Sequence, residues 1–246
     1  MGAVVTKSAQ NLLLITLGAA TLWITVATDE YLNYVKPWFR WALIAAAVAV
    51  VVLGAAGLRR EWHDADDHDD HGHDDHGHHG PRVAWLLCLP ALGIFLIAPP
   101  ALGSFTADRN STRTAAPPAP DEGYGALRPT GGPLAMTISE FIGRSFEAQT
   151  GDPGTLRGIP VQLSGFAAPR PQGEGWYLTR LRMACCAGDA IPMRVIVHGA
   201  ARPKTDTWVS VVGTWMPPTA GAPVTGVHEV RAQHTRPIKK PKNQYE

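Results

Sequence analysis

The sequence predicts a membrane protein of two parts, an α-helical module that crosses the bilayer about three times and a small, mainly β C-terminal domain. Three long apolar runs occur in the first part of the chain. A stretch rich in Pro and Ala follows them, and beyond it come short runs rich in Val, Ile and Trp that are separated by Gly and Pro. We therefore expect a transmembrane module over 1–107, a linker over 108–133 and a soluble domain over 134–246.

Each apolar run has the length of a membrane-spanning helix. Residues 8–28 carry no charge, and residues 41–58 form a second uncharged run with aromatic residues before it and two arginines after it. The third run, 83–106, contains Pro90 and a later Pro-Pro pair, so its helix is expected to break or to end near Ala98. About 20 apolar residues suffice to cross a bilayer, and three such runs in a soluble core would leave no polar face for water.

Charge near the apolar runs predicts their orientation. The first run could be a cleaved signal peptide, but its apolar part is long and no small-residue cleavage site follows, which favours retention. Lys7 precedes the first run, and Arg59, Arg60 and Arg82 flank the loop between the second and third. The positive-inside rule then puts the N-terminus and that loop in the cytoplasm, and an odd number of spans puts the C-terminal domain outside.

The C-terminal domain is predicted to contain one helix and five strands. Over 137–149, Ile138, Phe141, Ile142 and Phe146 recur at helical spacing behind Thr137, a possible N-cap. The predicted strands cover 156–166, 175–183, 191–198, 207–215 and 228–236. This pattern indicates an OB-like, partly open barrel, although the periodicity fits another small β-domain equally well.

Residues 62–80 are dominated by histidine and aspartate. The histidines are His63, His68, His71, His73, His76, His78 and His79. Imidazole and carboxylate groups bind Zn²⁺ and other divalent transition metals, and many such groups on a glycine-containing tether form several weak, exchangeable sites. We predict that this tract collects metal ions beside the membrane; the alternative is a solvated acidic spacer.

Cys185 and Cys186 are the second candidate site. Successive side chains of a strand point to opposite faces, so the two thiols can meet one ion only if the backbone turns there. Three interpretations stay open: thiolate ligands of a soft metal together with Asp189, a redox-active pair, or two small buried residues at a strand end. Three histidines could support a metal site if the fold brings them near: His198, His228 and His234.

Other functional classes find little support in the sequence. It contains no phosphate-binding loop, nucleophile elbow or H-E-x-x-H motif, so we do not expect an enzyme. No basic stretch alternates with aromatic residues as nucleic-acid binding requires, and the lysines at 239, 240 and 242 are expected to form a solvated tail. Cys88, the third cysteine, lies in an apolar run, where we expect it to pack as a small hydrophobe.

Three segments of the C-terminal domain resemble the bacterial YcgQ-type family of permease subunits. They are Arg-Met-Ala-Cys-Cys-Ala-Gly-Asp-Ala-Ile-Pro at 182–192, the strand at 208–213 and the closing segment 238–245. The resemblance covers most of 134–246 and implies a C-terminal domain with a Cys-Cys-x-x-Asp-Ala-x-Pro-like element. It also implies a smaller subunit that works with a larger polytopic permease. One departure is a single Tyr245 where the family has a closing aromatic pair.

Residues and resemblance together predict a multi-pass protein of the bacterial cell membrane that assists metal transport. As an accessory subunit, it would bind zinc or another divalent metal and present the ion to the larger permease. Its expected partners are therefore that permease, the lipid bilayer and divalent metal ions. Two alternatives are a membrane-anchored thiol oxidoreductase that uses the vicinal cysteines, and a purely structural assembly factor.

Overall fold

The structure, a computed structural model, describes residues 7–66, 102–109, 123–128, 131–218 and 226–246. The chain divides into two compact units between Pro100 and Ala101. The first unit is helical, and the second contains a β-barrel. The predicted order, helices followed by a mainly β domain, is confirmed.

The first unit is a hairpin of two long helices. Helix α1 covers Lys7–Val26 and helix α2 covers Arg40–Asp66, with two short 3-10 turns at Glu30–Asn33 and Pro37–Phe39 between them. Contacts pair the start of α1 with the end of α2, as in the 2.7 Å hydrogen bond from Ser8 to Glu61, so the helices are antiparallel.

Glycines allow the two helices to touch along their backbones. A Cβ atom at Gly18 would lie 2.9 Å from the carbonyl oxygen of Ala47, and one at Gly54 would lie 2.8 Å from that of Asn11. A larger residue at either position would push the helices apart, because a backbone atom cannot rotate away. This kind of close approach is typical of helix pairs in membranes.

Both helices of the hairpin are long and apolar enough to cross a membrane. The hydroxyls of Thr16, Thr21, Thr25 and Thr28 each donate to a carbonyl one turn earlier, at 2.7–3.0 Å, so these threonines find hydrogen-bond partners within their own segment of the chain. The predicted first and second runs are therefore helices of the expected kind. The third run lies outside the described residues up to position 101, so the count of three spans stays a prediction.

Five strands of the second unit close into a barrel. They are β2 (Pro160–Ala168), β3 (Trp176–Arg182), β4 (Ile191–His198), β5 (Trp208–Met216) and β6 (Glu229–Pro237). Around the barrel the order is β2, β3, β4, β6, β5, and β5 pairs again with β2. Only the β4–β6 pair is parallel within this ring.

The prediction of a partly open barrel is wrong, because the ring closes. Seven consecutive residue pairs join β2 to β5, from Pro160 with Thr214 to Phe166 with Trp208. A two-residue strand β1 (Leu134–Ala135), absent from the prediction, adds to β2 in parallel. The five predicted strands otherwise lie close to the observed ones, and the bounds of β4 agree.

Large apolar side chains fill the barrel. Trp176, Leu178 and Val195 are almost fully buried, and helix α4 (Ile138–Thr150) packs Ile138 and Phe141 into the same core. Thr137 caps this helix as predicted, since its hydroxyl accepts a 3.0 Å hydrogen bond from the amide of Glu140. Phe146, expected on the buried face, is 41% exposed.

The C-terminal segment docks against the barrel. Strands β2 and β3 pair only over Phe166–Ala168 and Tyr177–Thr179, and beyond that point Tyr245 forms a parallel bridge with Leu181 of β3. Tyr245 is 3% exposed. The three lysines expected to be solvated, Lys239, Lys240 and Lys242, are exposed, whereas Gln244 and Tyr245 beyond them are buried.

Helix α3 (Ser104–Arg109) is fastened to the barrel by Asp206. The carboxylate of Asp206 accepts hydrogen bonds from the Ser104 amide at 2.8 Å and the Ser104 hydroxyl at 2.9 Å. Asp206 adopts φ 64°, a left-handed conformation that Asp tolerates better than most residues. Ala107 of α3 is fully buried, in a second apolar cluster that includes Tyr245.

Candidate metal centre

The two vicinal cysteines lie in the turn that joins β3 to β4. Met183 before the turn is 1% exposed and Ala190 after it is 3% exposed, so both ends of the turn are anchored in the second apolar cluster. Between them a 3-10 turn covers Ala187–Asp189, with Cys186 as its N-cap residue. The backbone turn that a shared ion requires is therefore present.

Asp189 organises this turn through its carboxylate. One oxygen accepts the amide of Ala184 at 2.8 Å, and the other accepts the amides of Cys185 at 2.7 Å and Cys186 at 3.3 Å. Three backbone donors are thereby gathered on one side chain. The position of Asp189, three residues after Cys186, thus fixes the path of the backbone that carries both thiols.

The turn brings three potential metal ligands together. The Sγ atoms of Cys185 and Cys186 and a carboxylate oxygen of Asp189 all lie within 4.8 Å of one another. Ligand atoms of a tetrahedral zinc site are separated by roughly 3–4 Å, given zinc–ligand bonds of about 2.0–2.3 Å. The upper bound of 4.8 Å on the three separations is close to that spacing. Among the described residues, no other group of three such ligands was found.

The pKa values of Cys185 and Asp189 in the turn are strongly shifted. The hydrogen bond from the Cys185 thiol to Asp189, with a further one involving Cys186, raises the pKa of Cys185 to about 11. Partial burial raises the pKa of Asp189, but hydrogen bonds from Cys185 and the three amides outweigh it and lower this pKa to about 2. Without a metal, Cys185 is therefore a protonated thiol beside a carboxylate, and Cys185 is also exposed to solvent.

The histidines considered as supporting ligands lie elsewhere in the barrel. His198 ends β4, about 23 Å from its start at about 3.3 Å per residue, and its Nε2 lies 3.1 Å from Glu229. His228 is buried against Ser145, with Nδ1 2.9 Å from Oγ. His234 is exposed on β6. None of the three belongs to the cysteine group.

Of the predicted ligands in the histidine tract, only His63 falls within the described residues. It lies near the end of α2 and is exposed. The others, His68, His71, His73, His76, His78 and His79, lie outside the described residues, and their metal binding stays a prediction.

Comparison with known proteins finds one family. Residues 144–246 match the DUF1980 C-terminal domain. The match supports the resemblance to the YcgQ-type family and covers strands β2–β6, the cysteine turn and the docked tail. No curated protein and no solved structure matches the chain.

Within the matched region, sequence reasoning missed the contacts made by Glu246. The backbone carbonyl of Glu246 accepts the amide of Met183 at 3.1 Å, directly before the cysteine turn. Its side-chain carboxylate accepts the amides of Ile138 and Ser139 at the start of α4, both at 2.8 Å. No local pattern predicts such contacts, because Glu246 lies far along the chain from Met183, Ile138 and Ser139.

Proposed function

We propose that this protein is a membrane-anchored accessory subunit of a permease complex that binds a zinc-like metal ion at the β3–β4 turn and presents it to the permease. The observation that carries the proposal is the convergence of Cys185, Cys186 and Asp189, whose ligand atoms lie within 4.8 Å of one another. Two thiolates and one carboxylate suit Zn²⁺, which is also bound by Cys and Asp in known sites.

The form of the site favours delivery over storage. Three protein ligands leave one position of a tetrahedral ion open, where a ligand from the partner can enter. Cys185 is exposed, so the partner can reach the ion without unfolding the turn. The Asp189 carboxylate and the amides that bind it hold the turn in shape before the ion arrives, which lowers the entropy lost on binding.

The helical hairpin supports the membrane anchor. Trp41 and Trp62 near the two ends of α2 are 75% and 70% exposed, as expected for side chains that face the lipid interface. Twenty-one residues of helix separate them, or about 31 Å at 1.5 Å per residue, close to the hydrocarbon thickness of a bilayer. A third span that ends near Ala98 would then place the barrel outside the cytoplasm, and the tract at 62–80 would collect ions on the other side.

In this proposal the barrel has an OB-like fold. Its three-strand meander, single parallel pair and closing β2–β5 contact form a five-stranded Greek-key ring. Such barrels commonly bind ligands through their loops, and the cysteine turn is one of these loops. The helix that packs into the barrel core precedes its first strand.

The alternative of a thiol oxidoreductase is disfavoured by the chemistry of the turn. Reactive thiols have a lowered pKa, because the thiolate is the nucleophile, whereas hydrogen bonding to Asp189 raises the pKa of Cys185. A disulfide between adjacent cysteines is also geometrically strained. The competing function is that of a purely structural assembly factor. Metal binding at the turn distinguishes the proposed metal-presenting subunit from this alternative.

The test is zinc binding by the full-length protein in detergent. All seven histidines from His63 to His79 are first replaced by Ser, so that the tract does not compete. In that background we expect about one Zn²⁺ per chain by elemental analysis, and none when Cys185→Ser and Cys186→Ser are combined. Asp189→Asn should weaken binding by about tenfold or more, since it removes a charged ligand.

Cys88→Ser is the matched control, because it removes a thiol outside the turn, and we expect it to leave zinc binding unchanged. A permease partner that co-purifies equally with wild type and the double cysteine variant, while neither binds zinc, would overturn the proposal in favour of the assembly factor. Zinc retained by the double variant would show that the turn is not the site.

A further inference from the structure

The outer face of the barrel carries a pocket away from the cysteine turn, and its mainly apolar walls carry several polar side chains. It is lined by residues of three adjacent strands: Gln162, Ser210, Val212, His234, Thr235 and Arg236. Strand pairing aligns these residues in rows, with Gln162 opposite Val212, which is opposite His234, and with Ser210 opposite Arg236. A β-bulge between Val212 and Gly213 shifts the register of β6 beside this pocket. The pocket is thus part of the barrel framework rather than of a loop.

The pocket offers hydrogen-bond donors and positive charge. The Gln162 amide donates to the Ser210 hydroxyl at 3.1 Å, so the hydroxyl oxygen already has a donor and its proton is available to a ligand. Arg236 is exposed and, within the described ranges, forms no ion pair. None of the residues that line the pocket is acidic.

Arg180 adds a second cation behind the pocket. Its guanidinium donates to the hydroxyl of Ser164 at 3.2 Å, and Ser164 is the cross-strand partner of Ser210. Its own counter-ion, Glu246, lies 3.8 Å away and is engaged by the amides of Ile138 and Ser139. The Glu246 carboxylate keeps its negative charge while it accepts these amides, so it offsets part of the positive charge of Arg180.

The distribution of acidic residues leaves this face positive. Several acidic side chains of the barrel unit are engaged in internal hydrogen bonds or ion pairs: Asp108, Glu140, Asp152, Asp189, Asp206, Glu229 and Glu246. In contrast, Arg231, Arg236, Lys239 and Lys240 on and after β6 are exposed. An anion approaching β6 thus meets several exposed cations.

We propose that this pocket binds a phosphate-type oxyanion through Arg236, Ser210 and Gln162. The arginine supplies a forked, charged pair of donors, and the hydroxyl and amide supply neutral donors beside it. Val212 gives the pocket one apolar wall, which fits the organic part of a phosphate ester. The ligand is either free phosphate or the phosphate of a lipid headgroup, and both share this chemistry.

The experiment uses the full-length, metal-free protein in dodecyl maltoside at constant ionic strength. Isothermal titration calorimetry is run with inorganic phosphate and with two short-chain lipids, dihexanoyl phosphatidylglycerol and dihexanoyl phosphatidylcholine. We expect saturable binding of phosphate or of phosphatidylglycerol, weakened at least about tenfold by Arg236→Gln. Ser210→Ala should weaken it less, and Arg236→Lys should restore part of the affinity because it keeps the charge.

Arg231→Gln is the matched control, since Arg231 is an exposed arginine of the same strand outside the pocket. We expect it to change the affinity by no more than about twofold. Tighter binding of phosphatidylglycerol than of phosphate would support the proposal and identify a lipid headgroup as the source, and the reverse would support it with a free oxyanion. Absence of saturable binding to every probe, or equal losses in the Arg231 and Arg236 variants, would overturn it.

Discussion

The helical hairpin and the barrel are held together in opposite ways. In the hairpin the tightest approaches are made by glycines, with Gly18 and Gly54 set against backbone carbonyls of the facing helix. In the barrel the interior is filled by large side chains, among which Trp176 and Phe141 are almost completely buried. Lipid tails are as apolar as the side chains that face them, so helix pairs in a bilayer depend on close backbone contact. In the barrel, by contrast, the hydrophobic effect in water drives the collapse of the core.

This contrast predicts opposite sensitivities to substitution. Enlarging a small residue should damage the hairpin, and truncating a large residue should damage the barrel. The residue type alone does not predict how much stability a substitution costs, because a tryptophan or a glycine contributes differently to the stability of the two units.

Truncation of Trp176 should have the largest effect. Trp176→Ala would leave a cavity in the barrel core and remove the hydrogen bond from its indole to the carbonyl of Ala200, at 3.1 Å. We expect a loss of about 3–5 kcal/mol in the free energy of unfolding of the barrel, measured by urea denaturation with hydrogen exchange of the strand amides. Trp38→Ala, at a tryptophan that is 63% exposed on the hairpin, should leave barrel protection unchanged.

Enlargement of Gly54 should destabilise the hairpin by up to about 3 kcal/mol, because the new side chain meets the Asn11 carbonyl and the helices must separate. The measurement is unfolding of Gly54→Leu in mixed micelles of dodecyl maltoside and sodium dodecyl sulfate. Val52→Leu changes a residue that is 58% exposed two positions earlier, and we expect it to behave as wild type. Equal stability of the two variants would contradict the close packing of the helices.

The barrel core should also be sensitive to pH, because it contains a buried histidine. His228 Nδ1 lies 2.9 Å from the hydroxyl of Ser145, whose oxygen accepts the indole N–H of Trp215 at 2.8 Å. The same oxygen also accepts the Gln149 amide at 3.3 Å, so both of its lone pairs are used and the hydroxyl donates to an unprotonated Nδ1 of His228. Burial lowers the pKa of His228 to about 4.

Because the unfolded chain gains the proton near pH 6.5 and the folded chain only near pH 4, stability falls as pH drops through this window. We expect a loss of about 2 kcal/mol between pH 7.5 and pH 5, measured by urea denaturation at each pH. His228→Gln should abolish most of this loss, and His234→Gln, at an exposed histidine, should preserve it. An unchanged pH dependence in the His228 variant would refute the assignment.

Local features of the sequence predicted the secondary structure well. The two apolar helices and the Thr137 cap were found because hydrophobic length and capping depend on neighbouring residues. A short run rich in Val and Ile likewise predicted β4 with its observed bounds. These signals need no knowledge of the rest of the fold.

Contacts between distant residues could not be predicted in this way. Closure of the barrel depends on pairing of β2 with β5, about fifty residues later, and neither strand carries a signal for its partner. The same holds for His198 and His228, which topology places away from the cysteine turn. At the turn itself, the sequence indicated that the backbone must bend but not that Asp189 binds three amides to achieve it.

The docking of Glu246 has a consequence for folding cooperativity. This one residue contacts the start of α4 through its carboxylate and the base of the cysteine turn through its carbonyl. The turn and the start of the helix therefore both depend on contacts with Glu246. Their backbone amides should show similar protection from hydrogen exchange. Since the contacts with Ile138 and Ser139 span more than a hundred residues, we expect them to form late in folding, when most of the barrel is in place. Asp189 shapes the turn locally, but the base of the turn is anchored to Glu246 only in the complete domain.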